Sequence, residues 1–178
     1  VTGNGSAAVV TASALFIKEG QRYFFNTGCA SMGWGLPAAI GVCFAHGKQE
    51  TYCITGDGSI QMNLQELQTV VFHKLPIKIF LINNQGYHSM RQTEKNLFGD
   101  LSTIGVGPES ADLSFPNMEA IAAAYGIPYR SVHTNRDISS ALEEFMQMKG
   151  FALFEVFVDT IVVCSISALV VLSTGVWT

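Results

Sequence analysis

The sequence predicts an α/β domain: a parallel central sheet with helices on both faces. Three observations carry that prediction. Short apolar runs alternate with stretches of helical period, as strands do when crossover helices join them. The chain has 178 residues, 48% hydrophobic and 13% charged, which is enough apolar side chain for one core and too little charge for disorder. A glycine-flanked aspartate directly follows one apolar run, and an Asn-Asn pair follows the next.

The elements follow in order. Ala7 to Lys18, small and apolar, predicts a helix. Tyr23 to Phe25 predicts a short strand. Met32 to Ala45, "MGWGLPAAIGVCFA", predicts a glycine-rich buried helix, with Pro37 suited to a first turn. Tyr52 to Thr55 predicts a strand ending at a glycine turn. Asn63 to His73 predicts an amphipathic helix with Leu64, Leu67, Val70 and Val71 on one side, and His73 and Lys74 suit its C-terminal end. Ile77 to Ile82 predicts a strand. Gln85 to Asp112 shows little periodicity and is long for a connecting loop, a length that often marks function. Met118 to Tyr125 and Asp137 to Met148 predict helices, the first capped by Asn117. Phe151 to Val158 predicts the last strand.

Composition excludes some functions. The net charge is −4 and no basic run is present, so a nucleic-acid footprint is absent. Cys29, Cys43, Cys53 and Cys164 form no C-x-x-C pair and have no histidine at ligand spacing. They predict buried free thiols in a reducing cytoplasm rather than zinc. The chain starts at Val1 without a charged leader or cleavage pattern, and reads as cut from something longer or as processed. "IVVCSISALVVLSTGVWT", residues 161–178, carries no charge. Its length approaches that of a membrane span, yet Ser, Thr and Gly interrupt it and nothing basic flanks it, so no anchor is expected. An artificial or frameshifted end, and a segment packing against an absent domain, stay open.

Spacing places the chemistry. From a strand ending at Thr55, a helix of about eleven residues runs back roughly 16 Å. The strand Ile77 to Ile82 then runs parallel to the first. Asp57 and Asn83/Asn84 therefore lie beyond the carboxyl ends of two strands. If these are neighbours, the side chains meet over one crevice, where open α/β sheets bind ligands. One carboxylate and a few neutral oxygens suit Mg²⁺ completed by phosphate and water. Glycines at Gly56 and Gly58 let backbone N–H groups approach a phosphate, and Ser59 adds a hydroxyl. No Gly-Lys-Ser/Thr follows, and no G-x-G-x-x-G is present. Taken alone, Gly-Asp-Gly reads equally as a tight turn.

"GDGS" at 56–59 with "NN" at 83–84 resembles the cofactor motif of thiamine-diphosphate enzymes of the acetolactate synthase and pyruvate decarboxylase superfamily. "TGNGSAAV", "NTGCASMGWGLPAAIG" and "NNQGYHSMRQTEKNLFGD" resemble the family's flanking segments in the right order. The resemblance covers residues 1–160, implying a C-terminal diphosphate-binding domain of thiamine-diphosphate-binding fold, with 161–178 an atypical apolar tail. It implies that Asp57, the Asn84 side chain and the Gly86 carbonyl bind Mg²⁺. Gly56, Gly58 and Ser59 would hold the diphosphate from one side, and Asn4, Gly5, Ser6 and Ala7 from the other. Met32 would support the bent cofactor, with main chain near Ala30 and Met32 bonding the aminopyrimidine. Tyr87, His88 and Met90 would face the substrate.

The implied reaction is attack of the cofactor on a 2-keto acid, loss of CO₂, and protonation or ligation to a second carbonyl. The activating glutamate sits on a pyrimidine-binding domain or subunit, and the site forms between the two, usually in a dimer. This chain would then hold half an active site, be inactive alone, and work as a homo-oligomer. Pyruvate decarboxylases carry a glutamate where Met90 stands, which favours a synthase-like parent. A non-catalytic cofactor-binding or assembly module and a subunit of a split 2-oxo acid decarboxylase are the alternatives. His88 reads as a proton shuttle or as a surface residue, whereas His46, His73 and His133 read as surface or helix-end residues. Glu66 reads as packing or solvated more than as tuning the site. Arg91 meets either a substrate carboxylate or Glu94, and Trp34 packs in the core or an interface.

Overall fold

The computed structural model describes residues 1–99, 104–107 and 110–158. Strands β1 (Thr51–Gly56), β2 (Ile77–Asn83), β3 (Tyr129–Val132) and β4 (Ala152–Phe157) form one parallel sheet in the order β1-β2-β4-β3. Helices α1 (Gly5–Ala14), α2 (Gly35–Ala45), α3 (Asp57–Ile60), α4 (Glu66–Phe72), α5 (His88–Phe98), α6 (Met118–Tyr125) and α7 (Ile138–Gln147) complete it. Alternation along the strands sends side chains to two cores. Ile54, Phe80, Phe154 and Val156 pack against Ala7 and Val10 of α1 and Phe145 of α7. Cys53, Ile79, Leu81 and Leu153 pack against Leu36 and Ala39 of α2, Leu67 and Val70 of α4, and Ala122 of α6. The sheet is therefore covered on both faces, as the alternating pattern predicts.

Several boundaries differ from expectation. Helix α1 starts two residues earlier than Ala7, and it stops at Ala14, where Leu15 turns extended. Phe16 and Ile17 beyond it are exposed. Gly33 has φ +80°, a left-handed conformation, so α2 begins only at Gly35. The stretch 61–63 is a 3₁₀ turn leading into α4. Tyr23–Phe25 contributes a single bridge, Phe25 to Thr2, and Thr2 also bridges Ile54 at the β1 edge. The aperiodic segment after Gln85 contains α5, which buries none of its residues. Strand β3, unforeseen, is a four-residue edge with Arg130 exposed.

Asn117 caps α6 as expected, its side-chain oxygen accepting from the Ala120 N–H at 2.8 Å. Leu67 and Val70 of α4 are fully buried, with Leu64 and Val71 packed against the same core. Cys43 and Cys53 are buried free thiols, and burial pushes Cys53 up to about 12. Cys29 departs from expectation, since its loop leaves it exposed. Cys164 and the apolar segment 161–178 lie outside the described residues. Among the described residues, no helix is long and apolar enough to cross a membrane.

Candidate functional site

The register pairs Gly56 of β1 with Ile82 of β2, so the two strand tips are immediate neighbours. Asp57 follows one tip and Asn83 and Asn84 end the other. Both reach a cleft of about 170 Å³ at the carboxyl edge of the sheet. Asn4, Gly5, Ser6 and Ala7, from the turn entering α1, form one wall. Gly56, Asp57, Gly58 and Ser59 form the floor. Asn84, Gly86, Tyr87, His88 and Met90 form the far wall, and Met32 closes a side. A larger cavity of about 590 Å³ opens beside α1, lined by Leu15, Tyr23, Tyr52 and Phe80 among others. It contains neither Asp57 nor Asn84, so the cleft, not this cavity, holds the site chemistry.

Asp57 is the electrostatic centre. It is 3% exposed, and its two carboxylate oxygens accept from the Gly58 N–H at 2.8 Å and the Gly86 N–H at 3.1 Å. Burial pushes its carboxyl up to about 6, the backbone N–H groups of Gly58, Gly86 and Gln85 oppose that rise, and the nearby Glu155 adds to it. Asn84 supplies the second feature: its side-chain oxygen Oδ1 is buried and has no hydrogen-bond partner. Such an atom is costly to leave unpaired. A buried carboxylate and an orphaned amide oxygen from residues lining one cleft make an all-oxygen donor set of the kind hard divalent cations prefer. The residues present therefore fit Mg²⁺.

The glycines serve close approach. At Gly58 an added Cβ would lie 2.3 Å from the Tyr87 ring, which packs edge-on against Phe115 with ring centres 5.7 Å apart. At Gly86, with φ +153°, it would lie 2.0 Å from the Val106 carbonyl oxygen, the acceptor of the Tyr87 N–H. Ser59 departs from the simple expectation of a free hydroxyl. Its Oγ accepts from the Gly33 N–H at 2.9 Å, and Asn63 Nδ2 donates to the Gly33 carbonyl at 2.7 Å. Both polar groups of the Gly33 peptide are thus tied to the floor, which anchors Met32 beside the cleft.

The remaining residues weighed from the sequence lie outside the cleft lining. Ala30 sits exposed in a left-handed turn (φ 48°), outside the cleft lining. The Arg91 guanidinium donates to the Gln85 and Val106 carbonyls, bracing the far wall. Glu66 accepts from the Thr69 hydroxyl at 2.8 Å, within its own helix. His46, His73 and His133 are exposed. Ser89 also lines the cleft, although sequence reasoning passed it over. Glu155 and Asn63 were missed too. The signal for Glu155 was present: one acid in the apolar run "ALFEVF".

Fold and cleft together define a class: parallel α/β domains whose ligand crevice lies at the carboxyl tips of the strands. Within that class, the chain belongs to the family described as thiamine pyrophosphate enzyme, C-terminal TPP binding domain, which matches residues 3–156. It is 37% identical over 144 residues to an acetolactate synthase large subunit from Porphyra purpurea, covering 80% of this chain and 24% of that protein. It is 35% identical over 157 residues to a chloroplastic acetolactate synthase from Arabidopsis thaliana, covering 87% and 23%. A solved thiamine diphosphate-dependent 4-hydroxybenzoylformate decarboxylase from Rhodococcus jostii RHA1 superposes with a TM-score of 0.65 at 26% identity, over 77% of this chain and 25% of that one. The chain thus spans about a quarter of the length of these relatives.

Proposed function

We propose that this chain is the diphosphate- and Mg²⁺-binding half of a thiamine-diphosphate enzyme acting on 2-keto acids, with acetolactate synthase-like chemistry. The observation that carries the reading is the buried, unpartnered Asn84 Oδ1 beside the buried Asp57 carboxylate at two adjacent strand tips. Asp57, Asn84 and the Gly86 carbonyl hold the cation. Gly58, Ser59 and the turn Asn4–Ala7 hold the diphosphate, and Met32 supports the cofactor. Tyr87, His88 and Met90 face the substrate. When bound, thiamine diphosphate supplies a nucleophilic carbon and an electron sink for decarboxylation. The activating glutamate comes from a separate pyrimidine-binding domain or subunit, so the chain alone lacks half the contacts. An exposed methionine at position 90, where pyruvate decarboxylases of the family carry a glutamate, favours the carboligating reading over a pyruvate decarboxylase-like one.

Calorimetry with Mg²⁺ and thiamine diphosphate tests this. The chain alone is expected to bind thiamine diphosphate weakly or not at all, because half of the cofactor's contacts are absent, while the cation site itself lies within the chain. Adding a pyrimidine-binding domain is expected to restore binding and CO₂ release from a 2-keto acid. In the assembly with that domain, Asp57→Ala is expected to abolish the metal-dependent binding. Unchanged metal-dependent affinity in that variant would overturn the ligand assignment.

A further inference from the structure

Glu155 is the one acidic residue in β4, and it is 2% exposed. A carboxylate taken out of water survives in the fold only when hydrogen bonds replace its hydration. Two are present. Oε1 accepts from Asn83 Nδ2 at 2.7 Å, and Oε2 accepts from the Tyr129 hydroxyl. These partners come from β2 and β3, the strands on either side of β4.

The bond to Asn83 has a directional consequence. An amide has one donating end and one accepting end, so committing Nδ2 to Glu155 fixes where Oδ1 points. Asn83 Oδ1 accepts from the Gln85 N–H at 3.0 Å, closing an Asx-type turn at the end of β2. Within that turn Gln85 has φ +58° and Gly86 φ +153°. The turn presents the unpartnered Asn84 Oδ1, and it brings the Gly86 N–H to Asp57. An unbroken series of contacts thus runs from Tyr129 through Glu155, Asn83 and the 83–86 turn to Asp57.

We infer that Glu155 is a positioning residue for the cation site: it holds the Asn83 amide in the one orientation that shapes the 83–86 turn. This rests on the cation reading of Asp57 and Asn84 given above. Glu155 touches no bound group itself. Its role is to prepay the ordering of the turn, so that the oxygens of Asn84 and Gly86 are in place before a cation arrives.

Glu155→Leu removes both acceptors at similar volume. Glu155→Gln is the conservative control. Its side-chain oxygen still accepts from Asn83, and its amide donates to the Tyr129 hydroxyl oxygen. Two measurements on the full chain separate the outcomes. In hydrogen exchange, the Gln85 amide should exchange at least about tenfold faster in Glu155→Leu while central β2 amides keep their rates, and Glu155→Gln should match wild type. In NMR with Mn²⁺ alone, the Asn84 side-chain amide should broaden in wild type and not in Asp57→Ala. Glu155→Leu should need about 10- to 100-fold more Mn²⁺ for equal broadening, and Glu155→Gln should not.

Wild-type Gln85 exchange or wild-type Mn²⁺ dependence in Glu155→Leu would overturn the positioning role and leave the cation reading intact. No broadening in wild type would overturn the cation reading, and this inference with it. Should Glu155→Leu fail to fold, Asn83→Ala cuts the same series one step later and must reproduce both losses.

Discussion

The buried Asp57 carboxyl should make this chain's stability fall as pH rises towards neutrality. Burial moves it from an ordinary value of 3.8 to about 6, so folding favours the protonated form. Its contribution is fully present below pH 3.8 and is lost as pH rises through 6. Between pH 5 and pH 7.5 the loss is about 1.4 kcal/mol, which lowers Tm by about 3–6 °C for a domain of this size. Asp57→Asn cannot titrate. Its amide sets a donor against the Gly58 or Gly86 N–H, which costs about 1 kcal/mol at every pH and shifts the level without changing the slope. The assay is thermal melting followed by circular dichroism at the two pH values in EDTA, for wild type and variant. The difference between their two slopes isolates this carboxyl from every other titrating group. A cation has the opposite preference, because it requires the ionised form. At pH 5 only about one carboxyl in ten is ionised, so Mn²⁺ should bind about tenfold more weakly than at pH 7.5. Parallel melting profiles for wild type and Asp57→Asn would refute the reasoning.

Gly86→Ala drives a methyl group against the Val106 carbonyl in a conformation that favours glycine, and should cost about 2–4 kcal/mol and open the 85–87 segment to limited proteolysis. Gly58→Ala meets the Tyr87 ring instead. It should cost about 1–3 kcal/mol, read as a lower Tm, and most of that should return in a double variant with Tyr87→Ala. Lys78 is fully buried in β2 and donates from Nζ to the Phe145 and Met148 carbonyls at the end of α7. Lys78→Met should fray that last turn, seen as faster exchange of the Gln147 and Met148 amides, with a net loss of about 1–2 kcal/mol in urea unfolding.

What the sequence made legible follows from the range of the forces involved. That Asp57 and Asn84 line one cleft could be read because it needs only two facts, a crossover helix of the right length and parallel neighbours. Both are written in the apolar pattern between Tyr52 and Ile82. Helix α5 was missed because it is mostly polar and its few large apolar residues are widely spaced: Met90 and Leu97 share a face seven residues apart, but that face packs on no core, and Met90, Leu97 and Phe98 are all exposed. Strand β3 was missed because "YRSV" is short and half polar, as an edge strand tolerates. Ala30 lies outside the cleft lining, at a position set by loop conformation that no periodicity encodes. The hydrogen bonds from Asn63 to Gly33 and from Asn83 to Glu155 join residues 30 and 72 positions apart, and nothing local announces such pairs.

The strand order has a consequence for how the protein is made. Among the described strands β4 is last along the chain, yet it lies between β2 and β3. A nascent chain ending before Ala152 therefore exposes the full backbone edge of β2 with no strand to cover it, a state open to wrong pairing. Insertion of the final strand seals the sheet and delivers Glu155 to Asn83 in one event. Pairing of β4 with β2 and the bond from Asn83 to Glu155 thus form together, and a product that stops short of β4 has neither.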